Sequence, residues 1–280
     1  HPDAEFDYVM TGMREQEPTE GALYDRSKRT LIDQEITEKA VDFIKRKSIE
    51  GQPFFAYLPY TQTHEPVDAH PDFAGSTGNG AFADVLAQTD AYVGEILAII
   101  DELSIKENTI VIFTSDNGRE GVQRSFGFTG PWRGSMFSPY EGSLRVPFLM
   151  RWPGHIAAGK TSNEIVHQID LFPTFSSFID ADLPKDRIID GVDQSGFFFG
   201  ESEKSARESV VIYIGNELFG AKWRNWKMLL KEIDESSYTI NNMAYPSFYN
   251  LLVDPKEEVP ELNYLNDTWV DFHLFQVIED

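Results

Sequence analysis

The sequence predicts an α/β protein with a mostly parallel or mixed sheet flanked by helices, followed by a small carboxy-terminal antiparallel α+β subdomain. The first observation is the run T-I-V-I-F-T at Thr109–Thr114, which is too short for a helix and apolar on successive positions. Such a run is typical of a central strand covered on both faces. The second is that helix-like and strand-like segments alternate before it. The third is a set of short, closely spaced β-like runs from Ser209 onward, which is typical of an antiparallel sheet.

The amino-terminal half of the pattern contains two helices and a strand. The segment up to Arg29 is polar and rich in turn formers, so we expect irregular structure there. Apolar residues then recur at four-residue spacing and predict a helix over Ile32–Lys47, with its buried face at Ile32, Ile36, Ala40 and Ile44. A buried strand is predicted over Phe54–Tyr60, and a second long helix over Phe82–Leu103. The order strand, helix, strand implies parallel pairing through a right-handed crossover.

The rest of the chain continues this pattern and then changes character. A third strand is predicted over Leu144–Trp152, a helix-rich segment over Asn163–Ile179, and a terminal helix near Trp269–Ile278. We therefore divide the chain into a partial α/β domain, residues 1–205, and a small carboxy-terminal subdomain, residues 206–280.

Charge and composition restrict the partners. The 280 residues include 46 acidic and 24 basic side chains, for a net charge of -22. This balance argues against nucleic acid and anionic membrane surfaces as partners. An anionic substrate would need a local positive site, most simply a metal ion. The chain has no cysteine, which excludes a disulfide framework and a thiolate zinc site, and no apolar run approaches the roughly 18 residues of a membrane span.

Polar side chains follow the strand at Thr109–Thr114. Ligands of open α/β sheets bind beyond the carboxyl ends of strands, and Ser115, Asp116 and Asn117 stand at that position. An Asp carboxylate beside an Asn carbonyl suits a hard cation such as calcium or magnesium. Asp-Asn-Gly is also ordinary turn chemistry, and the residues alone leave both interpretations open. The long loop Arg119–Ser143 that follows is rich in glycine and aromatic residues, and loops of this length are usually functional or disordered.

Three longer motifs occur in a fixed order. They are P-F-F-A-Y-L-P-Y-T-Q-T-H-E-P at Pro53–Pro66, I-V-I-F-T-S-D-N-G at Ile110–Gly118, and G-P-W-R-G…Y-E-G-S-L-R-V-P-F-L-M-R-W-P-G at Gly130–Gly154. In these motifs the chain resembles the sulfatase family, in particular the arylsulfatases of the alkaline-phosphatase-like superfamily. The likeness extends from about Asp33 to the D-P-K-E-E motif at Asp254–Glu258. The resemblance implies an alkaline-phosphatase-like fold and a small-molecule sulfate ester as substrate.

The resemblance also implies roles for three residues. Asp116 and Asn117 match the pair that ligates a divalent cation, usually calcium, and His64 matches the active-site histidine that contacts the sulfate and assists the leaving oxygen. Without the resemblance, His64 would be read as a surface-loop histidine bonded to its neighbours. The residues that bind the rest of the substrate are unknown at this stage.

Several features of the family are not in the chain. The formylglycine nucleophile is made from a C/S-x-P-S-R motif, and neither a cysteine nor such a motif is present. We therefore expect the nucleophile on a missing amino-terminal half of the same protein, and we expect this chain alone to be inactive. The sulfate-binding lysine that many sulfatases carry before Y-E-G aligns with Met136. Either Arg133 or another group replaces it, or the substrate site is altered.

Two other functions remain compatible with the sequence. A phosphomonoester or phosphonate hydrolase of the same superfamily would share the fold and the metal pair, and its upstream nucleophile would distinguish it. A chain without a nucleophile could also be a non-catalytic binding module, which the Met136 substitution mildly favours.

Overall fold

The computed structural model describes residues 7–13, 15–121, 127–261 and 268–279. The chain divides into two compact units, His1–Thr109 and Ile110–Asp280. The boundary that we placed between residues 205 and 206 stays a prediction.

The first unit opens with a hairpin. Strand β1 (Tyr8–Thr11) pairs antiparallel with β2 (Thr19–Leu23), and helix α1 (Arg26–Ile49) follows directly. The expectation of irregular structure up to Arg29 is therefore wrong. Almost every residue of both strands is exposed, so no buried face imposed an alternating apolar pattern that the sequence could show.

Both long helices of the first unit are confirmed. Helix α1 is longer than predicted because the Asp25 side chain accepts a hydrogen bond from the backbone amide of Lys28 and caps the helix earlier. Helix α2 (Ala81–Glu102) packs against α1. Their apolar faces supply the core of this unit, with the buried residues Ala40, Ile44, Val85, Tyr92, Ile96, Ile99 and Ile100.

The predicted strand over Phe54–Tyr60 is wrong. The segment is assigned to no strand, and its Phe55 and Tyr57 side chains are 75% and 78% exposed. A strand needs a neighbour that accepts and donates its backbone hydrogen bonds, and no strand among the described residues pairs with this segment. The apolar run predicts that both faces of this segment are buried. In the structure Phe54 packs edge-on against Phe43, at 5.9 Å between ring centroids, whereas Phe55 and Tyr57 are exposed.

The second unit begins with the strand predicted before the S-D-N-G motif. Strand β3 (Val111–Thr114) pairs antiparallel with β4 (Phe148–Arg151), so that Val111 faces Arg151 and Thr114 faces Phe148. Of the third strand predicted over Leu144–Trp152, Phe148–Arg151 form β4, whereas Leu144 ends a short helix, α3 (Glu141–Leu144). The parallel pairing expected from a helical crossover is absent from the described residues, because the segment at 54–60 that would have provided it is not a strand.

Two short helices follow β4. The first lies in the helix-rich segment predicted over Asn163–Ile179, and the second lies after it. Helix α4 (Leu171–Phe178) continues a single 3-10 turn at Gln168–Asp170, and α5 (Ser195–Phe199) ends on Gly200 in the left-handed conformation. Among the residues that the structure describes, no helix is both long and apolar enough to span a membrane.

The predicted carboxy-terminal antiparallel sheet is confirmed. Strands β5 (Ser209–Ile214), β6 (Glu217–Trp223), β7 (Trp226–Asp234) and β8 (Thr239–Asn250) lie in chain order, and helix α6 (Thr268–Glu279) follows. The pleat sends neighbouring residues to opposite faces. Met228 packs with Val270 and Leu274 of α6, whereas Leu229 packs on the other face with Tyr140. The sheet is thus covered on both sides.

Candidate active site

Helix α1 holds the backbone of the loop that carries His64. The carboxylate of Asp33 accepts hydrogen bonds from the backbone amides of Thr61 at 2.8 Å and Gln62 at 3.1 Å. One turn earlier on the same helix face, the Arg29 guanidinium donates to the carbonyl of His64 at 2.7 Å. The position of the His64 backbone is therefore set by side chains of α1.

Sequence reasoning missed this role of α1. It placed Ile32 and Ile36 on the buried face, but both are half-buried, whereas Asp33 and Thr37 are buried. The pattern Arg29-x3-Asp33-x3-Thr37 puts three polar groups on one helix face, and this spacing was the available signal. The burial of Asp33 is tolerated because backbone amides satisfy both of its oxygens.

The His64 ring has one nitrogen engaged and is exposed. Its Nδ1 lies 2.7 Å from the carbonyl oxygen of Glu65. A carbonyl only accepts, so Nδ1 carries the hydrogen in this contact, and Nε2 is the nitrogen that can serve a substrate. This geometry fits the catalytic role and the ordinary loop role equally.

The S-D-N-G turn lies in the second unit, at the end of β3. Asp116 Oδ1 accepts from the backbone amide of Asn117 at 2.9 Å and from the Ser115 hydroxyl at 3.3 Å. The Asn117 side-chain nitrogen donates to the carbonyl of Gly118 at 2.8 Å. This orientation leaves Asp116 Oδ2 and Asn117 Oδ1 as oxygen donors, on consecutive residues, of the type that calcium and magnesium prefer.

Two oxygens form only part of a calcium site, which has about six to eight ligands. Within the described ranges, no group of three or more His, Asp or Glu side chains is placed to hold a metal ion. The residues present therefore fit a divalent cation in chemistry and supply part of its coordination.

Neighbouring segments hold the S-D-N-G turn from two directions. The amide of Gly118 donates to the carbonyl of Ser143 at 2.9 Å, and the amide of Met136 donates to the carbonyl of Arg119 at 2.8 Å. On the other side, the Gln168 side chain donates to the carbonyl of Ser115. The Y-E-G-S loop, residues 133–143, thus lies directly beside the candidate cation ligands, and the Met136 amide is part of the contact.

The Arg133 guanidinium is engaged elsewhere, which disfavours it as the replacement for the lysine expected at Met136. The guanidinium lies 4.0 Å from the centroid of the Tyr140 ring, and its Nη1 donates to the carbonyl of Glu257 at 2.9 Å. Arg119 is the nearer cation in sequence to Asp116. It is half-buried, and in the part of the chain that the structure describes no carboxylate forms an ion pair with it.

Asp170, a buried carboxylate that the sequence did not reveal, supports the turn that carries Gln168. Asp170 is fully buried and receives hydrogen bonds from the Arg207 guanidinium at 2.7 Å and from the backbone amide of His167 at 2.9 Å. Burial acts to raise the pKa of Asp170, but these donors outweigh it and hold the pKa below its usual range. Burial also lowers the pKa of His167. The sequence signal that could have revealed Asp170 was the polar pair Gln168 and Asp170 inside an apolar segment.

Four further histidines, His70, His155, His167 and His273, make structural contacts. His167 caps the turn at Gln168–Asp170, and His70 accepts from the backbone amide of Asp72. The other two stack on tryptophans: His155 on Trp152 at 4.0 Å and His273 on Trp223 at 4.3 Å between ring centroids.

Comparison with known proteins decides the family. The sulfatase family model matches residues 4–181, which is more than half of the chain. The chain belongs to the sulfatase family. A second family model, described as the carboxy-terminal part of N-sulphoglucosamine sulphohydrolase, matches residues 136–260.

Curated sulfatases align with much of the chain. Steryl-sulfatase of Rattus norvegicus is 35% identical over 199 residues, which is 69% of this chain and 34% of that protein. An N-acetylgalactosamine-6-O-sulfatase of Bacteroides thetaiotaomicron is 33% identical over 238 residues, covering 80% of this chain and 46% of that protein. The chain therefore spans between a third and a half of the length of these relatives.

Solved structures confirm the fold. The PsFucS1 sulfatase from Pseudoalteromonas sp. superposes with a TM-score of 0.87 at 24% identity, covering 96% of this chain and 56% of that one. A structure from work on glycosaminoglycan metabolism by Bacteroides thetaiotaomicron gives a TM-score of 0.77 at 29% identity, covering 94% of this chain and 56% of that one. The sulfatase chain thus has the predicted alkaline-phosphatase-like fold, and its relatives are sulfuric ester hydrolases.

Proposed function

We propose that this chain is part of an enzyme that hydrolyses sulfate monoesters, aryl or alkyl, with a divalent cation and an upstream formylglycine nucleophile. The observation that carries the proposal is the S-D-N-G turn, where the consecutive residues Asp116 and Asn117 offer oxygen donors at the end of β3. A phosphomonoester or phosphonate substrate would use the same donors, and the named sulfatase relatives favour the sulfate ester.

Asp116 Oδ2 and Asn117 Oδ1 would hold the cation, together with ligands from the rest of the protein. A divalent cation bound there, which we expect to be calcium, would offset the negative charge of the sulfate group. This matters because the net charge of -22 repels an anion. Arg119, two residues after Asn117, would add a second positive charge next to this position.

His64 would act on the leaving oxygen. Its Nδ1 hydrogen is held by the carbonyl of Glu65, and a proton at Nε2 could then pass to the departing alcohol or phenol. Because Asp33 and Arg29 hold the loop backbone, the ring is presented from a fixed position.

The nucleophile is the part of the machinery that this chain does not contain in recognisable form. The sequence has no cysteine and no C/S-x-P-S-R motif. Since cleavage of a bound sulfate ester needs a nucleophile in line with the S–O bond, we expect the 280-residue chain alone to lack turnover.

The test compares this chain with the whole protein that contains it, using 4-nitrophenyl sulfate and, in parallel, 4-nitrophenyl phosphate. The whole protein should hydrolyse the sulfate, and the 280-residue chain should not exceed background. In the whole protein, His64→Ala should lower kcat about 100-fold or more, the size expected for a positioned acid. Asp116→Ala should cost more, because it removes a cation ligand.

His155→Ala is the matched control, because His155 is exposed and stacks on Trp152. It should leave kcat unchanged. Preference for the phosphate ester would overturn the proposed substrate class. Turnover by the 280-residue chain that His64→Ala abolishes would show that a nucleophile lies within these residues.

A further inference from the structure

A fully buried lysine lies beneath the Y-E-G-S loop. Lys227, on strand β7, has its Nζ 2.9 Å from Glu141 Oε1 and 2.7 Å from Glu257 Oε1, and it donates to the carbonyl of Pro139 at 3.0 Å. Lys227 is on the carboxy-terminal sheet, Glu141 begins α3, and Glu257 belongs to the D-P-K-E-E motif after β8. One ammonium group therefore joins three segments that are distant in the sequence.

Glu141 is fixed at both its side chain and its backbone. It is 1% exposed, and its Oε2 accepts from Arg145 at 2.5 Å and from Lys222 at 2.7 Å. Its backbone amide donates to Glu257 Oε2 at 2.7 Å, across 116 residues of sequence. Burial acts to raise the pKa of Glu141, but the surrounding cations, Lys227 first, hold it well below its usual range.

Stability is a poor reason for such a cluster. Moving a carboxylate and an ammonium out of water costs several kcal/mol per ion, and well-packed apolar side chains of similar size are often at least as stabilising. Buried charges of this kind are useful when they specify one geometry among several close alternatives. The relevant question is which geometry this cluster specifies.

The contacts lead from the cluster to the S-D-N-G turn. Glu141 is followed by Gly142, whose amide donates to the carbonyl of Arg133 at 2.6 Å, and by Ser143, whose carbonyl accepts from the amide of Gly118 at 2.9 Å. Gly118 is two residues from Asp116. Fixing Glu141 therefore fixes the carbonyl that holds the turn bearing the candidate cation ligands.

We propose that Lys227 is a positioning residue: together with Glu257 it attaches Glu141 to the carboxy-terminal sheet and so holds the Y-E-G-S loop against the S-D-N-G turn. In this arrangement the carboxy-terminal subdomain sets the spacing between Met136 and the candidate ligands Asp116 and Asn117. The inference rests on the proposed function only in taking the S-D-N-G turn as the cation site.

Amide hydrogen exchange measures this coupling without any need for turnover. Lys227→Met keeps an unbranched side chain, one atom shorter, and removes its charge. The amides of Gly118 and Met136, which donate across the two loops, should exchange at least about tenfold faster, because the loop contact then opens more often. Amides within β6 and β7 should accelerate by a smaller factor, because their hydrogen bonds to neighbouring strands do not depend on the loop contact.

Lys231→Met is the matched control. Lys231 is on the same strand, but it pairs with the half-exposed Glu217 at the surface. Its replacement should leave the exchange of Gly118 and Met136 unchanged.

The double variant Lys227→Met with Glu257→Gln separates positioning from charge balance, and it replaces the single variant if that one fails to fold. The amide oxygen introduced by Glu257→Gln can still accept from the backbone amide of Glu141, but it no longer links that segment to β7 through a lysine. Fast exchange at Gly118 and Met136 with a protected sheet supports the proposal. Wild-type exchange at both amides, or equal acceleration throughout the sheet, overturns it. An inactive whole protein would count against the proposed function and would leave this result intact.

Discussion

Gly118 lies against the backbone of Gly142 so closely that neither loop has room for a side chain there. A Cβ on Gly118 would lie 1.9 Å from the Gly142 carbonyl oxygen, and a Cβ on Gly142 would lie 2.5 Å from the Arg133 carbonyl oxygen. The two glycines allow the S-D-N-G turn and the Y-E-G-S loop to touch through their backbones.

Gly118→Ala should therefore separate the two loops. The displaced backbone would lose the hydrogen bond from Gly118 to Ser143, and the free energy of unfolding should fall by about 1–3 kcal/mol, as for other overpacked sites. Urea denaturation measures the change. Gly94→Ala is the control: apart from the backbone of its own helix, no atom of the described residues lies within 4 Å of the new Cβ, and a helix interior gains about 0.5–1 kcal/mol from alanine. An unchanged unfolding midpoint for Gly118→Ala would contradict the close approach.

The buried carboxylate of Asp33 should be essential to the loop before His64. Asp33→Ala leaves the amides of Thr61 and Gln62 without their acceptor, which should cost about 1–3 kcal/mol of stability. Asp33→Asn keeps one acceptor oxygen and should cost less. Asp42→Ala, which breaks only an exposed pair with Arg46, should change stability by less than about 0.5 kcal/mol. Equal effects at positions 33 and 42 would refute this role.

Acid should destabilise the second unit through Glu141. Its folded pKa lies below the ordinary value of 4.5, so between these two values the unfolded chain binds the proton and the folded chain does not. The stabilisation is therefore present above about pH 4.5 and is lost as the pH falls, by up to about 1.4 kcal/mol per pH unit.

Substitution of Glu141 tests its contribution to the pH dependence of the unfolding free energy. Glu141→Gln should flatten the decline of the unfolding free energy between pH 5 and 3 relative to wild type. Glu257, whose pKa is raised by burial and in part by the charge of Glu141, contributes with the opposite sign, and Glu141→Gln reduces that contribution as well. Glu208→Gln, at an exposed pair with Arg224, should retain the wild-type slope. A parallel slope for Glu141→Gln would mean that Glu141 does not stay ionised in the fold.

Calcium should bind weakly to this chain. Asp116 and Asn117 provide two of the about six to eight oxygens that calcium takes, so titration calorimetry of the 280-residue chain should give no micromolar affinity. Adding the rest of the protein should restore binding, and Asp116→Ala should remove it again. Micromolar affinity for the chain alone would show that further ligands lie within these residues.

Local patterns in the sequence determined the helices and strands that need only a nearby partner or an apolar surface to pack against. The four-residue apolar spacing predicted α1 and α2, the β-branched run predicted β3, and the closely spaced runs after Ser209 predicted an antiparallel sheet, because burying a face imposes a period on the sequence. The ordered motifs likewise identified the family and pointed to Asp116 and Asn117 at the end of β3 and to His64 within the first motif.

Only the tertiary structure decided which apolar run is a strand and which polar groups support the site. Phe54–Tyr60 has the composition of a strand, yet a strand also needs a neighbouring backbone, which the run itself cannot specify. Asp33, Asp170 and Lys227 are charged, so their composition predicts exposure. They are buried because partners far away in the chain, at Thr61, Arg207 and Glu257, satisfy them, and no local pattern records a partner that distant.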